Sequence, residues 1–395
     1  MKKIAFLLPD FQEGGMPKVA SNIMSGLNSD YSQYLILLDS ESEIRYEHNS
    51  KVLGVCPKGQ TKLQKMKVFL KRIKIVKELK KKYHFDVVVS FGVAANIINI
   101  VSNQNEKTVC TEHNVKSIEN KTWGFFGKIY DVLIKLFYSK PDHLVAISNV
   151  MKEDFIENYN LKKDIDVIYN PHKINDIIER SNEPLNSSEK ELFKNKKTLI
   201  NVGRLTYAKG HWHLIRVLAE LKKSEPNIQL LILGQGEMEE DLKKLSEKLN
   251  IQDSIQFLGF QQNPYKFIKH SDAFVMSSLF EGFPNVLIES LACNTPIIST
   301  DCKSGPREII DKDKNIHKKI KEFEVHEYGL ITPQFDGNVI LNDSKLSDSE
   351  QQLKLAILEL IQNKELYDKL KANCLNKALE YDVSNMVKKY EEIFR

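Results

Sequence analysis

Two glutamates, Glu281 and Glu289, stand with seven residues between them in the stretch 277–310, SSLFEGFPNVLIESLACNTPIISTDCKSGPREII. An apolar strand over 273–276 runs out just before it, and the loop Leu279-Phe280-Glu281-Gly282-Phe283 leads to Pro284. Proline suits the first helical position, where its missing N–H costs nothing. Residues 285–293 are then apolar almost all round, the mark of a buried helix, and Glu289 is the exception. A charge inside such a helix is costly unless it is paired or hydrogen-bonded. The two carboxylates bracket a helix N-terminus, whose free N–H groups and positive dipole end suit a phosphate. Carboxylates that accept hydroxyls, beside a helix end that accepts phosphate, suit a sugar nucleotide. A structural reading stays open, in which Glu289 pairs with a buried Lys or Arg of a strand–helix–strand unit.

Cations come from a second stretch, Gly203-Arg204-Leu205-Thr206-Tyr207-Ala208-Lys209-Gly210. Arg204 follows a strand over 198–202, and Lys209 opens a helix running to about residue 223, so both reach one point. Fixed cations there stabilise the charge that a leaving diphosphate gains. The Glu-x7-Glu spacing in Glu-Gly-Phe-Pro-Asn…Glu289, with Gly-Arg-Leu…Lys-Gly ahead of it, resembles the signature of the retaining family 4 glycosyltransferases of GT-B fold. The resemblance is strongest over 198–310 and thinner over the first half.

That resemblance implies an α/β fold of two Rossmann-like, doubly wound domains facing a central cleft. It implies an enzyme that moves a hexose or N-acetylhexosamine, with retention, from a nucleotide sugar to a glycan acceptor. Arg204 and Lys209 would hold the diphosphate, Glu289 the ribose hydroxyls, and Glu281 the sugar ring. Gly234, Gly259, Gly282, Phe283, Pro284, Asn285 and Val286 complete the expected donor site. No metal and no cofactor are expected. The run Asp301-Cys302-Lys303-Ser304-Gly305-Pro306-Arg307-Glu308 resembles bacterial members that build capsular, exopolysaccharide or lipid-linked glycans, often from UDP-sugars. Ser304-Gly305 stands where typical members read Gly-Gly. Two alternatives are a nucleotide-sugar epimerase of the same fold and a non-catalytic, transferase-like binding subunit. A degenerate copy should have lost some of Arg204, Lys209, Glu281 and Glu289, and all four are present.

The first half opens as strand 4–8, a loop ending in Gly14-Gly15, and a helix over 17–27, the start of a doubly wound domain. Gly14 and Gly15 let a ligand approach closely. The loop fails the G-x-G-x-x-G pattern, against a classical NAD site. In the resembled family it faces donor phosphates and acceptor, and Pro17 replaces a common Glu. Further strands are expected at 34–38, 86–90, 107–111, 143–147 and 166–169. The third of these ends in Glu112-His113-Asn114. Ligands bind at the carboxyl ends of parallel strands, so His113 is placed to face the cleft. A structural histidine is the alternative, and the family's His near the transferred sugar favours the functional one. A long aromatic helix over 123–138 reads mostly as core, with Trp123, Phe125 and Phe126 at its rim, suited to a membrane interface or a lipid acceptor. Asp164-Ile165-Asp166 and Asp311-Lys312-Asp313 match D-x-D by chance.

A chain of 395 residues calls for two domains. They are expected at 1–172, the acceptor side, and 173–383, the nucleotide-sugar side. A polar linker lies over 172–196, and a helix over 384–395 packs back on the first domain. No apolar run approaches the length of a membrane span, and the first residues read as a strand, not a signal peptide. Five scattered cysteines without CxxC spacing point to a reducing cytoplasm and away from zinc. Net charge is only +4, yet 58–82 holds eleven Lys/Arg against one acid. Leu63, Met66, Phe69, Leu70, Ile73, Val76 and Leu79 recur there at helical spacing as the apolar face of a basic amphipathic helix. Its basic face is either solvated or drawn to an anionic membrane. No nucleic-acid motif accompanies it. The expected partners are a nucleotide sugar, a polyprenyl-diphosphate-linked glycan acceptor and an anionic membrane surface, with the protein peripheral at the cytoplasmic face.

Overall fold

Short apolar runs bounded by turn residues become buried parallel strands throughout this chain, because helices cover both faces of such sheets. A computed structural model describes residues 1–395 apart from Glu13, Lys58, Gln60 and Ser304, and apart from the side chains of Lys62, Leu63 and Phe125. The chain forms two units, Met1–His172 with Asp382–Arg395, and Lys173–Tyr381.

The first unit runs β1 (Lys2–Leu8), α1 (Gly15–Gly26), β2 (Tyr31–Leu37), β3 (Lys51–Gly54), α2 (Lys62–Tyr83), β4 (Val87–Phe91) and α3 (Val93–Val101). It continues through β5 (Lys107–Glu112), α4 (Lys116–Thr122), α5 (Phe125–Phe137), β6 (His143–Ala146), α6 (Asn149–Tyr159) and β7 (Asp166–Val167). Its sheet has the order β3-β2-β1-β4-β5-β6-β7, with parallel pairing throughout. From β3 onward each crossover steps the same way along the sheet. Parallel crossovers are right-handed, so α2, α3 and α5 cover one face. Ala5, Leu7, Ile36, Val76, Val88 and Ile98 form part of the core beneath them.

The second unit runs α7 (Ile174–Ser181), α8 (Ser187–Phe193), β8 (Lys197–Val202), α9 (His211–Leu221), β9 (Ile228–Leu233), α10 (Glu239–Lys248), β10 (Ile255–Gly259) and α11 (Tyr265–Lys269). Then come β11 (Ala273–Met276), α12 (Asn285–Ala292), β12 (Ile297–Thr300), α13 (Pro306–Ile310), β13 (Glu324–His326), β14 (Gly329–Thr332), α14 (Asp348–Gln362) and α15 (Lys364–Leu379). The sheet order is β10-β9-β8-β11-β12-β14-β13, parallel except for the β13–β14 hairpin. The last helix, α16 (Val383–Phe394), belongs to the first unit and packs on α1. Val383 N donates to His172 O at 2.8 Å where the chain re-enters that unit.

Four expectations need correction. The polar stretch over 172–196 is not a bare linker: its polar residues are the outer faces and caps of α7 and α8, and Asn186 with Glu189 forms a capping box. The aromatic helix expected over 123–138 is α5, but the short helix α4 ahead of it was passed over; Gly124, with a left-handed φ of 56°, separates the two. The short edge strand β3 was passed over, being mostly exposed and lacking an apolar signal. In α2 the faces differ from the expected ones. Met66 and Leu70 point outward among the exposed Lys67, Lys71, Lys74, Lys77 and Lys81. Lys80 points inward instead, 2.5 Å from Glu106 and 2.7 Å from Asn99 Oδ1. Lys58, the start of the basic stretch, lies outside the described residues.

The second unit carries a buried charged hub that ties α9 to α14. Arg216 Nε donates to Glu350 Oε1 at 2.9 Å, and His213 Nδ1 lies 2.8 Å from the same oxygen. Arg216 also donates to the carbonyls of Asn342, Ser344 and Lys345 at 2.6–3.0 Å. Burial alone would raise the Glu350 carboxyl, but hydrogen bonds from His213, Arg216 and the Ser347 amide outweigh it and hold the group at about 2. A depressed carboxyl stabilises fully above its ordinary value of 4.5 and loses that contribution as pH falls toward 2. Glu350→Gln therefore unfolds at lower temperature near neutral pH, by on the order of 3 kcal/mol for an orphaned buried arginine. Thermal melts across pH show that gap narrowing in acid, below the ordinary carboxylate value.

Candidate active site

In the second unit the expected residues gather where parallel strands end, the place such sheets bind ligands. The turn after β8 carries Arg204 and Lys209. Lys209 lies in a short 3-10 turn, Tyr207–Lys209, and α9 starts only at His211. This differs from the expectation that Lys209 opens the helix, because Gly210 takes a left-handed φ of 58° between them. A Cβ on Gly210 would also come within 2.4 Å of Ser277 O. The bare backbone is what lets the turn meet the loop after β11.

Two further contacts fasten that meeting. Leu279 N donates to Ala208 O at 2.8 Å, and Ser277 Oγ donates to Lys209 O at 2.9 Å. The second loop is held from behind by Thr300 Oγ1 on Ser278 O at 2.7 Å and Gln334 Nε2 on Leu279 O at 3.1 Å. On this frame Lys209 Nζ reaches Glu281 Oε1 at 2.6 Å, and Ser278 Oγ donates to the same oxygen at 2.7 Å. Two residues expected on different parts of a donor thus form one ion pair, and both stay partly open to solvent.

Arg204 is exposed and makes no side-chain hydrogen bond or ion pair among the described residues. Its backbone is rigid. Gly203 N donates to Leu233 O at 2.9 Å, Leu205 N to Gln235 O at 3.0 Å, and Gly234 N to Gly259 O at 2.8 Å. Gly234 sits so tightly that a Cβ would fall 1.9 Å from Gly203 O. The strand ends β8, β9 and β10 therefore share one rim, with an unpartnered guanidinium projecting from it.

Helix α12 starts at Asn285, with Pro284 as its cap and not its first helical residue, since ψ 82° at Pro284 is non-helical. Gly282, Asn285 and Val286 are half-buried, while Phe283 is buried with its ring 5.8 Å from that of Tyr381. Glu289 is buried, and Tyr265 Oη donates to its Oε1 at 3.5 Å. Beneath the site His211, which sequence reasoning missed, lies 2.9 Å from Asn201 Oδ1, and Asn201 Nδ2 donates to Val275 O at 2.7 Å. Burial, with Lys209 nearby, pushes His211 down to about 3, so it adds no charge.

In the first unit Gly14 caps α1 and Gly15 is its first residue; Tyr46 Oη lies 3.1 Å from Gly14 O. His113 is buried just past β5, with its ring stacked on Phe91 at 5.5 Å. Thr111 Oγ1 gives its proton to Ser90 O at 2.9 Å, so it must accept from His113 Nε2 at 3.1 Å. His113 Nδ1 is then a bare acceptor, buried and without a hydrogen-bond partner among the described residues. Under it lies a network the sequence reading passed over. Lys116 Nζ sits 2.8 Å from Glu112 Oε2 and 2.7 Å from Glu119 Oε2, and Asn96 and Tyr138 donate to Glu112 Oε1. The i,i+3 spacing of Lys116 and Glu119, both on α4, was the available signal. The Asp-x-Asp matches are engaged elsewhere: Asp166 with His143 at 2.9 Å and Asp311 with Arg307 at 3.6 Å.

Residues 14–175 match the family model Glycosyltransferase Family 4, and residues 182–323 match Glycosyl transferases group 1. An uncharacterised glycosyltransferase of Methanocaldococcus jannaschii is 34% identical over 365 residues, 90% of this chain and 88% of that one. The chain belongs to this glycosyltransferase family. A second relative, 28% identical over 90% of this chain and 93% of its own length, comes from Campylobacter jejuni. It is an N-acetylgalactosamine-N,N'-diacetylbacillosaminyl-diphospho-undecaprenol 4-alpha-N-acetylgalactosaminyltransferase. Among solved structures, Anabaena HepE in complex with UDP and glucose superposes with a TM-score of 0.73 at 17% identity, covering 99% of both chains. A sucrose-phosphate synthase from Thermosynechococcus elongatus gives 0.75 at 15% identity, covering 100% of this chain and 98% of its own. The fold of this glycosyltransferase is GT-B, built from two Rossmann-like units.

The geometry at His113 makes a testable demand. Burial, then the charge of Lys116, lowers this imidazole to about 3. It stays neutral across about pH 5 to 8, a range in which an ordinary histidine titrates. Nitrogen NMR of the ring should show one tautomer, protonated at Nε2, throughout. A titration midpoint near the ordinary 6.5 contradicts the assignment.

Proposed function

We propose that this glycosyltransferase moves a hexose or N-acetylhexosamine, with retention and without a metal, from a UDP-sugar to a lipid-linked glycan acceptor. The observation that carries the reading is the Lys209–Glu281 pair standing on the same unit's strand-end rim as the unpartnered Arg204. An ion pair with a solvent-open side offers an ammonium to phosphate and a carboxylate to hydroxyls at one place.

In this reading Arg204 and Lys209 hold the donor diphosphate, and the N-terminus of α12 adds its dipole. Glu289 binds the ribose hydroxyls and Glu281 the sugar ring. The bond from the anomeric carbon to the phosphate oxygen breaks on the face where the acceptor oxygen bonds. The leaving phosphate oxygen takes the acceptor's hydroxyl proton, so charge and protons balance without an added base. His113 Nδ1, as a neutral acceptor, would receive a hydroxyl proton of the sugar in a hydrogen bond. A UDP-linked donor fits Anabaena HepE, solved with UDP and glucose. A diphospho-undecaprenol acceptor fits the Campylobacter relative. Such an acceptor places the enzyme at the cytoplasmic membrane face in surface-glycan synthesis, drawn there by the lysines of α2.

The test is hydrolysis and transfer with a panel of nucleotide sugars in EDTA. UDP-sugars should turn over, and Lys209→Ala should cost on the order of 100-fold in rate. Glu281→Gln should lower the rate while keeping most nucleotide affinity, and Glu289→Ala should weaken both. Loss of turnover in EDTA with rescue by magnesium overturns the metal-free mechanism. Release of an epimeric nucleotide sugar in the absence of acceptor identifies an epimerase instead.

A further inference from the structure

His113 stands between two polar residues, and both are fastened to the same ammonium. Glu112, just ahead of it, is fully buried at the end of β5, and its Oε2 lies 2.8 Å from Lys116 Nζ. Asn114, just after it, donates from Nδ2 to Glu119 Oε1 at 2.8 Å. The other oxygen of Glu119 lies 2.7 Å from Lys116 Nζ. Glu112, Lys116, Glu119 and Asn114 thus close a ring of contacts around the backbone of His113. Lys116 is the one cation in that ring, and it is buried at the start of α4. A buried ammonium between two carboxylates is costly to disturb, since removing it leaves charge without a partner.

A line of hydrogen bonds also reaches Glu112 from α2. An ammonium only donates, so Lys80 Nζ at 2.7 Å makes Asn99 Oδ1 an acceptor. Asn99 Nδ2 then donates to Ser90 Oγ at 3.0 Å, and the Ser90 hydroxyl passes its single proton to Asn96 Oδ1 at 2.7 Å. Asn96 Nδ2 donates to Glu112 Oε1 at 2.8 Å and to Thr111 O at 3.0 Å. A carboxylate only accepts, so the far end of the line dictates the same orientation of Asn96 as the near end. Neither amide can turn over without losing its partners. Ser90 and Thr111, held by this line, are the two residues that place the proton of His113. Thr111 Oγ1 spends its own proton on Ser90 O and so accepts from Nε2. The line and Thr111 are buried throughout, and polar groups this deep specify one arrangement when every one is satisfied.

We propose that Thr111 and Lys116 are positioning residues for His113: the Thr111 hydroxyl selects the ring tautomer, and the contacts through Lys116 hold the backbone on either side, so that a bare Nδ1 is presented to a hydroxyl of the transferred sugar. This rests on the reading that His113 meets that sugar. Neither positioning residue touches the donor. Their effect falls on turnover, while UDP, which lacks the transferred sugar, binds as before. A ring preset in this way needs no reorganisation when the sugar arrives.

The test uses the full chain and three readings: nitrogen NMR of the His113 ring, kcat and KM for hydrolysis of a UDP-sugar without acceptor, and calorimetric affinity for UDP. Thr111→Val removes the hydroxyl and keeps the shape. Neither ring nitrogen then has a partner among the described residues, so the ring should show both tautomers in place of one. Its kcat should fall at least about tenfold, with KM and UDP affinity little changed. Thr111→Ser returns the hydroxyl and should return the single tautomer and most of kcat. Lys116→Met should lower kcat in the same way, and Lys116→Arg should recover part of it. Should Lys116→Met not fold, Asn114→Ala opens the same ring of contacts at a half-buried position and should lower kcat without moving UDP affinity. A single Nε2–H tautomer in Thr111→Val overturns the proposal, as does a Thr111→Ser variant no better than Thr111→Val. Unchanged kcat in Asn114→Ala overturns the part given to Lys116. Two tautomers with unchanged kcat would leave His113 outside the reaction and overturn the proposal as well. If no nucleotide sugar turns over in the wild type, the activity reading fails, and the ring spectrum of Thr111→Val still decides whether the tautomer is preset.

Discussion

The site depends on a backbone contact made before any side chain is considered. The turn ending at Gly210 and the loop starting at Ser277 come from strands that neighbour each other in the sheet, β8 and β11, yet lie far apart in sequence. Residue 210 must be glycine for the two to touch, and Leu279 N on Ala208 O and Ser277 Oγ on Lys209 O then lock them. Lys209 and Glu281 meet as a consequence. A surface pair of this kind contributes little to stability by itself. Its significance is that it is already formed, so a ligand does not have to order two long side chains on arrival.

Charge is distributed around this frame with some economy. Lys209 and Arg204 project where the strands end, whereas the histidines nearest each unit's strand ends, His211 and His113, are kept neutral by burial. Buried charge elsewhere is neutralised locally, by Glu350 for Arg216 and by Glu112 and Glu119 for Lys116. Positive potential is thereby left to the residues that are open to solvent. Among these, Arg204 has no partner within the described residues and is the cation with most to gain from an anion.

Much of this was legible in the sequence, and the limits have physical causes. The strand–helix alternation and both motifs could be read because each lives on local spacing: an apolar run of strand length, a glycine at a turn, two glutamates a fixed distance apart. The pairing of Lys209 with Glu281 could not, since it depends on which strands are neighbours in the sheet. Helices α7 and α8 were hidden because short helices with solvated outer faces look like polar linker. Periodicity shows that α5 has an apolar face, but not that it has a second one left uncovered; only packing separates Ile134, buried, from Val132, exposed. Lys80 was misassigned for the same reason, as a lysine's destination follows from a partner such as Glu106, which lies on another element.

The central claim is that Arg204 and the preformed Lys209–Glu281 pair constitute an anion site for the diphosphate of a nucleotide. Calorimetric titration of UDP into the wild type, Arg204→Ala, Lys209→Met and the double variant, all in EDTA, addresses it directly. The account predicts binding to the wild type, a loss of at least about tenfold in each single variant, as expected for a charged hydrogen bond, and coupling in the double variant, since both cations act on one ligand. Unchanged UDP affinity in both single variants would contradict it.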